Sequence, residues 1–81
     1  MGSDIYKANY KYVFGPITQE QLKFIEDNIY CSDDGTYELS QNRYMELKQK
    51  FSMNNDLKDL LSAFGKELRK GNGHFSFRVF V

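Results

Sequence analysis

Apolar and polar residues alternate at both ends of the chain, with the two-residue period of a half-buried β-strand. The alternation over residues 73–81 predicts a C-terminal strand whose apolar positions are Phe75, Phe77, Val79 and Val81. A second alternation, over residues 4–14, predicts an N-terminal strand that ends at Gly15-Pro16. Its aromatic-rich side carries Tyr6, Ala8, Tyr10, Tyr12 and Phe14. Because Ala8 and Phe14 share a side with the tyrosines, we expect this side to face the core.

The region after the first strand begins with the features of a helix N-terminus. Thr18 is suited to be the N-cap, and Gln21, three residues later, completes a capping box. Ile17 and Leu22 flank the cap at the positions of a hydrophobic staple. The pattern predicts a helix over residues 19–29 with one apolar face.

Two further helices are predicted in the second half of the chain. Ser40 is a suitable N-cap for a helix over residues 41–51. The clearest helical stripe follows over residues 55–70, where apolar residues recur at intervals of three and four. Gly71 is suited to follow this helix as its C′ residue.

Residues 31–35 form a predicted turn, because the sequence Asp-Gly readily supplies a positive φ. This turn could close a hairpin between residues 29–31 and 36–39. It could also be a plain helix-to-helix connection in which Tyr37 and Leu39 enter the core. We favour a short extended segment over residues 36–39.

Together these elements predict a single small α+β domain over residues 1–81. The N- and C-terminal strands pair antiparallel, with a short third strand as an option, and three helices cover one face of the sheet. The predicted core comprises Tyr6, Tyr10, Tyr12, Phe14, Leu22, Ile25, Ile29, Leu47, Phe51, Leu57, Leu60, Leu61, Phe64, Phe75, Phe77 and Val79.

Composition changes this picture little but indicates a compartment. The single cysteine, Cys31, excludes an internal disulfide. The sequence also has no secretory signal and no apolar run near 18 residues. We therefore expect a soluble cytoplasmic protein that does not enter a membrane.

The polar residues do not form a recognisable catalytic or metal-binding pattern. A calcium loop with Gly35 at its sixth position would place Tyr30 and Gln41 where carboxylates are required. One cysteine and one histidine, Cys31 and His74, are too few for a zinc site. They could act as a nucleophile pair only if the fold brought them together. We expect no enzymatic activity, no cofactor and no metal.

The function that remains is binding to another protein, as a small regulator or inhibitor. Three aromatic residues fit no core stripe and are candidates for partner contacts, since exposed aromatic residues often anchor interfaces. Together with the acidic turn, the predicted protein-binding residues are Tyr30, Asp33, Asp34, Tyr37 and Phe80. An exposed sheet edge would also allow pairing with a second copy of the chain.

Charge distribution supports an alternative function, nucleic-acid binding. Residues 1–40 carry three lysines against seven carboxylates, a net charge of −4, and residues 41–81 carry eight basic residues against four acidic ones, a net charge of +4. The two halves either neutralise each other or mark a bipolar surface. If the aromatic sides face the helices, the outer face of the sheet is basic and suits phosphate contacts. The candidate residues are Lys7, Lys11, Arg69, Lys70, His74 and Arg78.

Overall fold

A computed structural model describes residues 3–80, which form five strands and three helices. Val81, the last residue of the predicted C-terminal strand, lies outside the described residues. The strands are β1 (Ser3–Lys7), β2 (Tyr12–Ile17), β3 (Tyr30–Cys31), β4 (Tyr37–Ser40) and β5 (His74–Phe80). The helices are α1 (Gln19–Asn28), α2 (Gln41–Lys50) and α3 (Asn55–Lys70).

The five strands form one antiparallel sheet in the order β2-β1-β5-β4-β3. The predicted α+β fold is confirmed, and so is the pairing of the two terminal strands, which runs from Asp4 opposite Phe80 to Lys7 opposite Phe77. The predicted extended segment over residues 36–39 is also confirmed, as β4, which forms a hairpin with β3. The C-terminal strand β5 is therefore the centre of the sheet.

Helices α1 and α2 begin directly after their predicted N-cap residues, Thr18 and Ser40. In α1 the Thr18 hydroxyl accepts a hydrogen bond from the backbone nitrogen of Gln21 at 3.1 Å, and the Gln21 side chain accepts one from the Thr18 backbone nitrogen at 2.8 Å. Ser40 caps α2 by accepting from the Arg43 backbone nitrogen at 3.2 Å. Helix α3 packs against β5 and β2, while α1 and α2 pack against α3.

The core lies between the inner face of the sheet and the helices. Phe77 is its central residue, because its ring contacts Phe64 and Phe75, with centroids 5.1 and 5.0 Å away, and stacks on Tyr37 at 5.3 Å. The buried apolar residues are Ile5, Ile17, Phe24, Ile25, Ile29, Leu39, Tyr44, Leu47, Leu57, Leu60, Leu61, Phe64, Leu68, Phe75 and Phe77.

The predicted single strand over residues 4–14 is wrong, because the chain turns back after Lys7. The Lys7 backbone nitrogen donates to the Lys11 carbonyl at 2.8 Å, and the Tyr10 nitrogen donates to the Lys7 carbonyl at 2.8 Å. Tyr10 occupies the left-handed position of this turn, with φ of 70°. The N-terminal region is therefore the hairpin β1–β2, in which Tyr6 lies opposite Tyr12.

The predicted burial of Tyr6, Tyr10 and Tyr12 is also wrong, because the opposite side of β1 faces the helices. Ile5 is fully buried, whereas Tyr10 and Tyr12 are 67% and 53% exposed. Ile5 can be buried without desolvating a polar atom, while a buried tyrosine must find a partner for its hydroxyl. The side chain of Ile5 thus occupies the core position of β1.

Two smaller differences concern residues near α1. Gly15-Pro16 does not end the strand, since β2 continues to Ile17, which is buried. In α1 the ring of Phe24 is buried, while Leu22 packs at the edge of the core.

Gly71 directly follows the last residue of α3. Its φ is −98°, and the positive φ values of this turn belong to Asn72 and Gly73, at 55° and 90°. A Cβ atom at position 71 would collide with the backbone carbonyl of His74. Close approach of the following strand, and not a left-handed backbone, requires glycine at this position.

Candidate interaction surface

The outer face of the sheet points away from the helices and is shared by all five strands. Residues that lie directly opposite each other on paired strands share a face. Phe77 is buried on the inner face, so its neighbours in β5 belong to the outer face. Following the strand pairing outward from these neighbours gives Asp4, Tyr6, Tyr12, Tyr30, Glu38, Ser40, His74, Ser76, Arg78 and Phe80 on the outer face.

Four aromatic residues form a continuous group at the β2 side of this face, which we call the outer cluster: Tyr6, Tyr10, Tyr12 and Phe80. The ring of Tyr6 makes edge contacts with Tyr12 and Phe80, at centroid distances of 5.5 and 5.3 Å, and Tyr10 lies 6.0 Å from Phe80. The Tyr12 hydroxyl donates a hydrogen bond to the Gly15 carbonyl at 2.9 Å. The rings are thus held in place by one another and by the hairpin.

Two basic residues of the outer face, Arg78 and His74, each lie beside a carboxylate. An Arg78 guanidinium nitrogen donates to the Asp34 carbonyl at 3.0 Å, and a second lies 3.5 Å from Asp34 Oδ2. Nε2 of His74 lies 3.3 Å from Glu38 Oε1. The prediction of a basic outer face is therefore wrong, because Arg78 and His74 each have a carboxylate beside them.

Asp34 organises the turn between β3 and β4. Its Oδ1 accepts hydrogen bonds from the Ser32 hydroxyl and, at 3.0 Å, from the Thr36 backbone nitrogen. These hydrogen bonds lower the pKa of Asp34 from 3.8 to about 2. The hydrogen bond from Ser32 is the largest cause, and the charge of Arg78 is a smaller one. The carboxylate acts as a structural acceptor within its own turn.

This geometry predicts how the stability of the protein depends on acid. Because the pKa of Asp34 is lower in the folded chain, its stabilising effect is present above about pH 4 and is lost as the pH falls toward 2. Removing the hydroxyl with Ser32→Ala is expected to raise the pKa of Asp34 toward 3.8. Carbon-detected NMR titration of the side-chain carboxyl measures both values, and equal pKa values in the two proteins would contradict the assignment.

His74, Ser76 and Glu38 include the three residue types of a hydrolytic triad but not its arrangement. Nε2 of His74 lies 3.0 Å from the Ser76 hydroxyl and 3.3 Å from Glu38 Oε1, so one ring nitrogen contacts both residues. A triad needs the carboxylate on the other ring nitrogen, where it orients the imidazole. The sulfur of Cys31 lies near the Ser32 carbonyl, and His74 lies against Ser76 and Glu38 instead of the cysteine.

The predicted protein-binding residues lie on different parts of the domain. Tyr30 is exposed on the edge strand β3, Asp33 is exposed in the neighbouring turn, and Phe80 belongs to the outer cluster. The prediction that Tyr37 is exposed is wrong, since its ring is half-buried and stacks on Phe77 on the inner face. Tyr37 and the buried Leu39 are two residues apart, so their side chains lie on the same face of β4. This spacing is the signal in the sequence that indicates the inner face for Tyr37.

The predicted nucleic-acid-binding residues are scattered over four parts of the surface. Lys7 points to the helical side, where its Nζ lies 2.9 Å from Glu67 Oε1, so its predicted place on the outer face is wrong. Lys70 lies 3.6 Å from Glu67 Oε2, and Arg69 lines a groove between α2 and α3. Lys11 is exposed in the β1–β2 turn, and only His74 and Arg78 lie on the outer face. These six residues do not form one continuous basic surface.

The edges of the sheet offer little backbone for pairing with another strand. The edge strand β2 contains Pro16, which has no N–H, and its register with β1 is interrupted twice. The opposite edge, β3, is two residues long. Short and interrupted edges resist strand addition, so we do not propose self-association through a sheet edge.

The described residues give no indication of a metal site or of a helix that spans a membrane. Across residues 3–80, no three histidine, cysteine or acidic residues are grouped so that they could hold a metal ion. None of the helices in that range has the length and hydrophobicity needed to cross a membrane. Comparison of the chain with protein-family models, curated proteins and solved structures finds no match in any of the three.

Proposed function

We propose that this protein is a non-enzymatic protein-binding module that uses the outer cluster to contact its partner. The observation that carries the proposal is the exposure of Tyr10, Tyr12 and Phe80 side by side on one face of the sheet. Tyrosine is enriched at the energetic centres of interfaces, because it combines a large apolar ring with a hydroxyl that can hydrogen-bond. Such a module regulates or inhibits by covering part of its partner's surface.

The rigidity of the outer cluster supports this use. Tyr6 and Tyr12 are cross-strand neighbours in a hairpin, and Phe80 is held beside them by the pairing of β1 with β5. Side chains that are already ordered lose less conformational entropy when they bind. Arg78, which lies opposite Tyr6, is paired with Asp34, so the exposed rings suit a partner surface that is mainly apolar.

Nucleic-acid binding is less well supported by the same surface. The outer cluster offers rings on which bases could stack, but phosphate binding also requires cations that are free to pair. On the outer face, Arg78 lies against Asp34 and His74 lies against Glu38. The absence of a continuous basic stripe beside the rings favours a protein partner.

The proposal can be tested by capturing the partner and measuring its affinity for matched variants. The immobilised protein is used to isolate partners from an extract of the source cell, and the purified partner is then titrated by biolayer interferometry. Tyr10→Ser and Tyr12→Ala are each expected to weaken binding by about 30-fold, the effect of losing an interface hot spot of ~2 kcal/mol.

Two controls distinguish the outer cluster from other exposed residues. Met53→Ser changes a residue that is 91% exposed in the turn between α2 and α3, and it is expected to leave the affinity unchanged. Tyr30→Ala tests the surface around the acidic turn, at the far edge of the sheet. Loss of binding in Tyr30→Ala with full binding in Tyr10→Ser and Tyr12→Ala would reject the outer cluster and favour the acidic turn.

A further inference from the structure

A groove of about 440 Å³ runs between α2 and α3, on the helical side of the domain and away from the outer cluster. Its floor is formed by three buried residues, Tyr44, Leu61 and Gly65. Its exposed rim includes the basic residues Lys48, Lys58 and Arg69. The groove therefore combines an apolar floor with a polar rim of one sign.

The charges of the rim are not neutralised by the surrounding protein. No carboxylate is among the residues that line the groove. Lys48, Lys58 and Arg69 also form no ion pair with any of residues 3–80, whereas Lys7, Lys70 and Arg78 are each paired with a carboxylate. Three unpaired cations around one groove favour an anionic ligand.

Tyr44 extends across the floor of the groove from α2 to α3. The residue is more than nine-tenths buried. The hydroxyl reaches the surface of Gly65, where the oxygen lies only 2.6 Å from the position that a Cβ atom would occupy. Because Tyr44 and Gly65 both line the groove, the hydroxyl is placed to donate a hydrogen bond to a ligand atom that enters it.

The shape of the groove indicates what class of ligand fits. Lys58 and Arg69 are eleven residues apart on α3, which separates them by about 16 Å along the helix axis at ~1.5 Å per residue. An elongated groove with cations at both ends of its rim matches an amphipathic segment that places apolar side chains on the floor and carboxylates beside the rim.

We propose that the α2–α3 groove binds an acidic amphipathic peptide segment of a protein partner. Carboxylates of the peptide pair with Lys48, Lys58 and Arg69, and its apolar side chains cover Leu61. A peptide carbonyl accepts the hydrogen bond from the Tyr44 hydroxyl. This site does not depend on the proposed function of the outer cluster, because the two surfaces lie on opposite sides of the sheet.

The test uses a fluorescein-labelled peptide of about 11 residues, long enough to span the groove as a helix. It carries leucine at helical spacing on one face and glutamate at its other positions. Fluorescence anisotropy at low salt is expected to show saturable binding at micromolar protein. Lys58→Glu and Arg69→Glu are each expected to weaken this binding at least tenfold. Tyr44→Phe is expected to weaken it about fivefold, the effect of one ordinary hydrogen bond.

Lys66→Glu is the matched control, because it makes the same change of charge on an exposed residue of α3 that does not line the groove. It is expected to change the affinity by less than twofold, as is Tyr10→Ser in the outer cluster. A peptide with lysine in place of glutamate is expected not to bind. Far-UV circular dichroism confirms that each variant is folded.

Three results would overturn the proposal. The first is failure of the acidic peptide to bind the folded protein. The second is an equal loss in Lys66→Glu and Arg69→Glu, which would indicate attraction by net charge alone. The third is equally tight, equally Arg69-dependent binding of a labelled single-stranded oligonucleotide, which would make the groove a phosphate-binding surface. None of these results bears on the outer cluster, whose own test uses Tyr10 and Tyr12.

Discussion

Replacing Phe77 with alanine is expected to cause the largest loss of stability of any single substitution considered for this protein. Phe77 is fully buried in the central strand β5, and its ring contacts Phe64, Phe75 and Tyr37. Truncating a buried phenylalanine costs about 3–5 kcal/mol. At ~0.05–0.15 kcal/mol per residue, a chain of this length has a total stability of about 4–12 kcal/mol. The substitution therefore removes a large fraction of the free energy of unfolding.

Urea denaturation followed by far-UV circular dichroism measures this effect. Phe77→Leu is the matched control, because it keeps an apolar side chain in the same position and loses mainly the ring contacts. It is expected to cost less than Phe77→Ala and to leave a cooperative transition. A loss of less than about 1 kcal/mol in Phe77→Ala would contradict the central position that the structure gives to this residue.

The second large effect is expected at Ile5, the core residue of the N-terminal hairpin. Ile5 is fully buried and lies opposite Val79 of β5 and Phe14 of β2. Ile5→Ala is expected to lower the free energy of unfolding by about 2–5 kcal/mol. The exposed neighbour on the outer face provides the comparison, since Tyr12→Ala is expected to cost less than about 1 kcal/mol.

Urea denaturation of these two variants directly compares the two sides of the hairpin. The order of the two losses matters more than either value, because both substitutions remove a large side chain from neighbouring strands. A greater loss in Tyr12→Ala than in Ile5→Ala would mean that the aromatic side faces the core, as the sequence pattern had predicted.

The helices could be predicted from the sequence because their signals are local. A capping box at Thr18 and Gln21 fixes the start of α1 through contacts three residues apart. The apolar stripe of α3 likewise depends only on spacing within one element, and its predicted range, residues 55–70, agrees with the structure. Local hydrogen bonds and helical periodicity need no knowledge of the rest of the fold.

The N-terminal hairpin could not be predicted in the same way, because its turn lacks the usual sequence signature. The left-handed position belongs to Tyr10, where glycine or asparagine is far more common. Without a visible turn, the alternation across residues 4–14 reads as one strand, and the tyrosines outnumber the apolar residues on the other side. In the shorter strand β1, Ile5 is the only aliphatic residue, so its burial determines which side of β1 faces the core.

The position of the candidate surface also depends on which side of β1 faces the core. The sequence contains the elements of the outer cluster, and exposure of Tyr6, Tyr10 and Tyr12 is one of the two orientations that the alternation allows. The pairing of Phe80 with these rings is set by β1 lying beside β5. Contacts between strands so far apart in the sequence have no local signal, and the groove between α2 and α3 is equally dependent on tertiary packing.

Tyrosine nitration mapped by mass spectrometry tests the central claim, that the outer cluster is exposed and contacts the partner. In the free protein, Tyr10, Tyr12 and Tyr30 are expected to react fastest and Tyr44 slowest, following their exposure. Adding the purified partner is expected to protect Tyr10 and Tyr12 while Tyr30 reacts as before. Slow reaction of Tyr10 and Tyr12 in the free protein, or protection of Tyr30 alone in the complex, would contradict the claim.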